Sequence, residues 1–148
     1  MAGSSEPLRH VIFRVDRERY ALPLPAVREV VIPPPAFTAV PRAPKAVRGV
    51  MNLRGRVITV VSLAALLELP AADAGEGRIV LLDRRRRDLG LWVTDVESIE
   101  PLERITPSPG GASEALKGVA RLKGWAVTVL APDGVDDAVA ALFATVGK

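Results

Sequence analysis

Thirteen residues recur in this chain with little change. Gly49 to Val61 reads GVMNLRGRVITVV, and 69 positions later Gly118 to Leu130 reads GVARLKGWAVTVL. Six of the thirteen positions are identical, both glycines among them, and Arg54 falls on Lys123. The same shift, without a gap, lays YALPLPAVREV from Tyr20 on LGLWVTDVESI from Leu89, and VIF at Val11 on VLL at Val80. Identity is low there, but the apolar positions keep step. Such a repeat restricts the fold more than any single motif, because both copies must bury the same faces. The reading is two copies of one small unit, at about 9–70 and 78–140 and related by an approximate two-fold, after a lead-in over 1–7.

Each copy reads as β. Apolar runs of four to seven residues (HVIFRV, RYALPL, RVITVV, RIVLLD, LGLWVT, WAVTVL) alternate with turn-formers. DRER and RRRR fit hairpin tips. Gly55 and Gly124 stand just before a strand, where a positive φ or a close backbone approach is expected. Pro23 should mark an edge strand, because it has no N–H for a ladder. SLAALLEL and GVDDAVAALF read as short helices closing the copies, and loops are expected at Pro33–Pro35, Pro70–Gly77 and PSPGGAS. Strands of this length and spacing predict small closed barrels, one per repeat. About 60 residues bury too little alone, so the two should share an aliphatic core. Exchange of a strand or helix between the units at the C-terminus is left open.

Composition serves mainly to exclude. Hydrophobic residues are 49% and aromatics only 4%, so the core must be aliphatic, and a charged fraction of 25% argues against general disorder. With no cysteine there is no disulfide scaffold, thiolate metal site or cysteine nucleophile. No apolar run approaches the length of a membrane span, and MAGSSEPLRH lacks the apolar stretch of a secretory signal. A cytoplasmic protein is expected. The net charge of +3 is mild evidence for an anionic partner. Much of it lies at Arg84–Arg87, which reads as a solvated hairpin tip rather than a nucleic-acid contact.

The search for chemistry finds little. His10, the only histidine, opens the first strand without a nucleophilic or acidic neighbour and reads as a surface or strand-end residue. GVMNLRG lacks the Lys-Ser/Thr end of a phosphate loop, and SPGGAS lacks the context of a hydrolase elbow. The pairs Glu97/Glu100 and Asp136/Asp137 read as solvated faces. Trp92 and Trp125 have no matching Trp in the other copy and read as core or inter-unit packing. No catalytic, cofactor or metal site is expected.

What remains is a binding module. VIFRVDRERYALPLPAVREV, VPRAPKAVRGVMNLRGRVITVVSL, RIVLLDRRRRDLGLWVTDVESI and LKGVARLKGWAVTVL follow in an order that resembles the CheW-like domain family, over about residues 9–143. The P-x4-GV-x-NLRG-x4-V core, here Pro44 through Val60, is the specific part. The resemblance implies two five-stranded SH3-like barrels around a common apolar core, and no catalytic activity. It implies an adaptor that couples the cytoplasmic tip of a chemoreceptor to the regulatory domain of a CheA-type histidine kinase. Such an adaptor would sit at membrane-associated arrays through its partners, with weak self-association in rings and no membrane insertion of its own.

Carried over by position, the resemblance implies partner-binding roles for Val27, Arg48, Gly49, Asn52, Arg54 and Val57, and an ion pair between Glu29 and Arg54. In the second copy Glu29 becomes Ser98 and Arg54 becomes Lys123, so that pair is not expected there and should mark the face on which the copies differ. The family's Asp after the second strand of the motif is here Ser62, which puts its polar contact in question. Two other readings stand beside the adaptor. One is a regulatory domain of a larger CheA- or CheV-like protein, against which the start methionine and the stop after LFATVGK are read. The other is a basic small-barrel nucleic-acid binder using Arg84–Arg87.

Overall fold

A computed structural model describes residues 7–70, 75–83, 88–107 and 114–146. The first copy holds β1 (Arg9–Val15), β2 (Glu18–Pro23), β3 (Val27–Val31), β4 (Val47–Leu53) and β5 (Arg56–Ser62), followed by the short helix α1 (Leu63–Leu66). The second holds β6 (Arg78–Leu82), β7 (Leu89–Val93), β8 (Asp95–Pro101), the two-residue β9 (Thr106–Pro107), β10 (Leu116–Leu122) and β11 (Trp125–Leu130), and ends in α2 (Pro132–Val146). Every strand read from the sequence is present. Among the described residues no helix is long and apolar enough to cross a membrane. Arg84–Arg87 lie outside the described residues.

The strands form two sheets, ordered β8-β1-β2-β11-β10-β9 (sheet A) and β3-β6-β7-β5-β4 (sheet B). This corrects the expectation of one barrel per repeat. The hairpin β1–β2 of the first copy lies in the sheet of the second, and the hairpin β6–β7 of the second lies in the sheet of the first. The exchange keeps the repeat's symmetry to the residue. Thr128 pairs with Tyr20 in the parallel contact β11–β2, and Thr59 pairs with Leu89 in β5–β7, each shifted by 69.

Burial explains why the hairpins cross over. On β1, Val11, Phe13 and Val15 enter a core between the sheets, while Ile12 enters a smaller cluster with Ala21, Ala120, Val127 and Val129 inside sheet A. On β6, Val80 and Leu82 join the central core, while Ile79 and Leu81 pack with Met51, Ile58, Val60 and Trp92 inside sheet B. The exchanged strands are thus buried on both faces, as their nearly unbroken apolar sequences require. The central core draws on both copies, as expected of units too small to stand alone.

Two further expectations are corrected. Pro23 does not mark an edge strand, because β2 lies between β1 and β11. The parallel ladder with β11 stops at Ala21, so the proline sits beyond it and costs no bond there. His10 lies near the start of β1, as read, but not on the surface. It is 1% exposed and occupies in sheet A the place that Ile79 fills in sheet B. Nδ1–H donates to the Leu8 carbonyl at 2.9 Å, and among the described residues Nε2 is buried without a partner. Burial holds the His10 pKa below its usual value; the Leu8 bond opposes this and the Lys117 charge adds to it.

The sign of the pH dependence follows. Between the lowered folded pKa and the unfolded value near 6.5 the unfolded chain binds more protons, so stability is full above that window and falls as pH drops through it. The urea midpoint should decline on acidification from pH 7 to 5, and His10→Ile should flatten that decline. An unchanged slope in the variant would show that other groups set it.

A candidate protein-binding face at the seams of the two sheets

The repeated NLRG and RLKG segments become two-residue hairpin tips. Leu53 pairs with Arg56 and Leu122 with Trp125, leaving Arg54–Gly55 and Lys123–Gly124 as the turns. All four residues have positive φ (50° and 86°, 52° and 85°), the geometry that matches the twist of a hairpin. Asn52 Oδ1 accepts from the Gly55 N–H at 3.0 Å and holds the first turn. That is a local reason for Asn before Leu-Arg-Gly, independent of any partner.

The held turn aims Arg54 at Glu29, and their side chains form an ion pair between Nη2 and Oε1. Glu29 is on β3 and Arg54 follows β4, the first and last strands of sheet B. The sheet therefore bends until its outermost strands come within side-chain reach, and the pair spans the seam. The Arg54 side chain is 67% exposed and that of Glu29 33%, so the pair falls in the class worth about 0–1 kcal/mol rather than the buried class.

In the second copy no Ser98–Lys123 pair forms, as expected. Lys123 instead meets Glu100 on β8 at 3.7 Å, across the seam of sheet A. An ion pair across a seam is thus common to both copies and does not mark their difference.

The difference lies beside it. At the first seam Asp88 lies between Arg56, at 2.5 Å, and Arg28, at 3.6 Å. Shifted by 69, Arg28 becomes Glu97, Asp88 stands where Arg19 stands, and Arg56 becomes Trp125. At the second seam Glu97 accordingly accepts from Arg19 at 2.8 Å, with Arg14 at 3.3 Å, and the Arg19 guanidinium lies 4.3 Å over the Trp125 ring. The ion pair has reversed polarity, and an arginine has given way to an aromatic. Trp125 is 58% exposed, which corrects its reading as packing; Trp92, at 2%, is core as expected.

The sequence-derived set does not gather in one place. Asn52, Arg54 and Val57 share the β4–β5 hairpin, with Asn52 opposite Val57 and Val57 61% exposed. Arg48 lies elsewhere, its guanidinium 4.5 Å over the Trp92 ring and 5.7 Å from that of Phe37, in a groove under Pro33–Phe37. Gly49 marks the bulge where β4 passes Thr38. Val27 is half-buried against the central core. Ser62 takes a structural role of its own: its Oγ accepts from the Ala65 N–H at 3.2 Å and caps α1. Sequence reasoning missed Arg28, Asp88 and Arg56, and their counterparts Glu97, Arg19 and Trp125. The sign reversal was present in the 69-residue register, but only the exchanged topology shows that position 19 meets position 97.

No cluster of His, Cys, Asp or Glu suited to a metal occurs among the described residues. Comparison with known proteins agrees with a scaffold. Residues 9–139 match the CheW-like domain family. A probable chemotaxis protein CheW of Rhizobium etli is 33% identical over 114 residues, 75% of this chain and 73% of its own length. The chemotaxis protein CheW of Rhizobium meliloti is 34% identical with the same coverage. The crystal structure of the scaffolding protein TtCheW from Thermoanaerobacter tengcongensis superimposes with a TM-score of 0.79 over 88% of each chain, at 24% identity, a likeness of fold. With a match over nearly its whole length, this chain belongs to the CheW-like domain family, the non-catalytic scaffold proteins of chemotaxis.

Proposed function

We propose that this chain couples the cytoplasmic tip of a chemoreceptor to the regulatory domain of a CheA-type histidine kinase, in the cytoplasm at membrane-associated arrays. Its two sheets each close into an SH3-like barrel, and the two seam faces serve unlike partners. The observation that carries the proposal is the reversed and altered chemistry of two otherwise equivalent faces. One offers Arg54, Arg56 and the exposed Val57; the other offers Arg19, Glu97 and the exposed Trp125. Two identical faces would select one kind of partner twice, whereas a bridge between different proteins needs different ones. Exposed Arg and Trp are also the side chains most often decisive at interfaces. Asn52 supports the first face by fixing the turn that presents Arg54, whereas partner contacts of Val27, Arg48 and Gly49 would lie apart from that turn. Weak self-association in rings would use the same faces.

The test is a pull-down of the full chain against a receptor cytoplasmic fragment and a CheA regulatory domain from the same cell. Arg54→Ala is expected to weaken one partner at least about tenfold, while a seam pair of this exposure leaves stability within about 1 kcal/mol. Trp125→Ala should weaken the other. Loss of the same partner in both variants would refute unlike faces. If wild type bound neither protein but was retained on nucleic acid at physiological salt, the adaptor reading would fall.

A further inference from the structure

A second surface adjoins the seam of sheet A, on the outer side of β10. Strand β10 pairs with β11 from Leu116 to Leu122, but β9 covers its other side only at Gly118 and Val119. Beyond Val119 no strand among the described residues pairs with that edge. Alternate residues of a strand turn their N–H and C=O groups to one side; Leu122 closes the hairpin with Trp125 and faces β11, so Arg121 is the residue of this stretch whose backbone groups point outward. The chain from Pro101 to Thr106 diverges from this edge and leaves a groove of 780 Å³. Its charged lining is Arg104, Arg121 and Lys123 against Glu103, and its apolar footing is Val119, 41% exposed, with Leu122. Arg104 is exposed and has no hydrogen bond or ion pair among the described residues.

The related edge of sheet B lacks this character. There Val50 makes a single bridge to Thr38, and the places of Arg104, Arg121 and Lys123 are held by Pro35, Asn52 and Arg54. Two of the three cations, Arg104 and Arg121, have no counterpart there; the third is paired in both sheets, Arg54 with Glu29 and Lys123 with Glu100. The excess positive charge therefore belongs to one edge only.

We infer that the open edge of β10 receives an extended acidic segment of a partner protein, which pairs with the outward backbone groups of Arg121 and sets its carboxylates against Arg104 and Arg121. Main-chain pairing supplies the affinity of such a contact, and side chains on alternate residues supply its selectivity. A nucleic acid would meet the same charge, but the groove holds no aromatic side chain for stacking and includes Glu103.

The probe is an end-blocked, fluorescent peptide of about eight residues alternating Glu and Val, titrated by anisotropy against the full chain. It is expected to bind, and a Lys-Val peptide is not. Arg104→Glu with Arg121→Glu should weaken it at least about tenfold. Methylating alternate backbone nitrogens of the peptide, which keeps every charge and removes ladder donors, should weaken it comparably. Both arginines are exposed; if the double variant fails a circular dichroism check, Arg104→Glu alone, outside any strand, replaces it. No binding, equal binding of the methylated peptide, full binding by the folded variant, or equal displacement by oligothymidylate would each overturn the inference.

Discussion

Replacing Trp92 with alanine should lower the unfolding free energy by about 3–5 kcal/mol, whereas Trp125→Ala should change it by less than about 1 kcal/mol. The two residues are equally large and were equally apolar in the sequence, so the contrast rests on placement alone. Trp92 is packed with Met51, Ile58, Val60, Ile79 and Leu81, and no other aromatic lies among the fully buried residues of that cluster. Its ring also fills the space over Gly77, where an added Cβ would lie 2.2 Å from Cε2. Truncation leaves a cavity that sheet B can close only by bending further, and the cost of such cavities rises with their volume. Trp125 loses mainly its contact with Arg19. Urea unfolding of both variants measures the difference; comparable losses would mean that Trp125 is held by packing that its exposure does not show.

The second large effect is at the paired bulge glycines. Gly49→Ala and Gly118→Ala are each expected to cost about 2–4 kcal/mol, against about 1 kcal/mol for Gly55→Ala. An added Cβ at Gly49 would lie 2.6 Å from the Thr38 carbonyl oxygen, on a φ of 138° that side chains rarely adopt. At Gly118 it would lie 2.2 Å from the Thr106 carbonyl oxygen. Backbone cannot swing aside as a side chain can, so the short neighbouring strand segment must move. Gly55 has the positive φ but nothing within 4 Å, and isolates the conformational part. A cost at Gly55 equal to that at Gly49 would show that backbone angle, not crowding, keeps both glycines. Any loss of partner binding in a Gly49 variant then reports on the fold before it reports on an interface.

Much of the local structure was legible in the residues. Alternating apolar runs marked the strands, and Gly55 and Gly124, read as standing before a strand with positive φ, have φ of 86° and 85°, whereas the bulges at Gly49 and Gly118 were not read. Strand and turn are local consequences of side-chain period and of φ, and they need no knowledge of neighbours. The Glu29–Arg54 pair came from resemblance to a family rather than from the residues, which stand 25 apart in the chain. The burial of His10 and the exposure of Trp125 were missed for one reason. Each occupies a position whose counterpart in the other copy has a different chemistry, and a single sequence does not say which copy keeps the buried environment.

By itself, the sequence determined that this chain is a doubled β unit with an aliphatic core, and it carried the motif that places it among the CheW-like domains. Only the tertiary structure decided that the hairpins β1–β2 and β6–β7 trade sheets. Their strands are apolar on both faces, so either sheet satisfies them locally, and the choice is made by the shared core between the sheets. That exchange brings Arg19 to Glu97 and Asp88 to Arg28 and Arg56, so the reversed polarity of the two seam faces depends on contacts about 30 to 80 residues apart in the chain that no local pattern encodes.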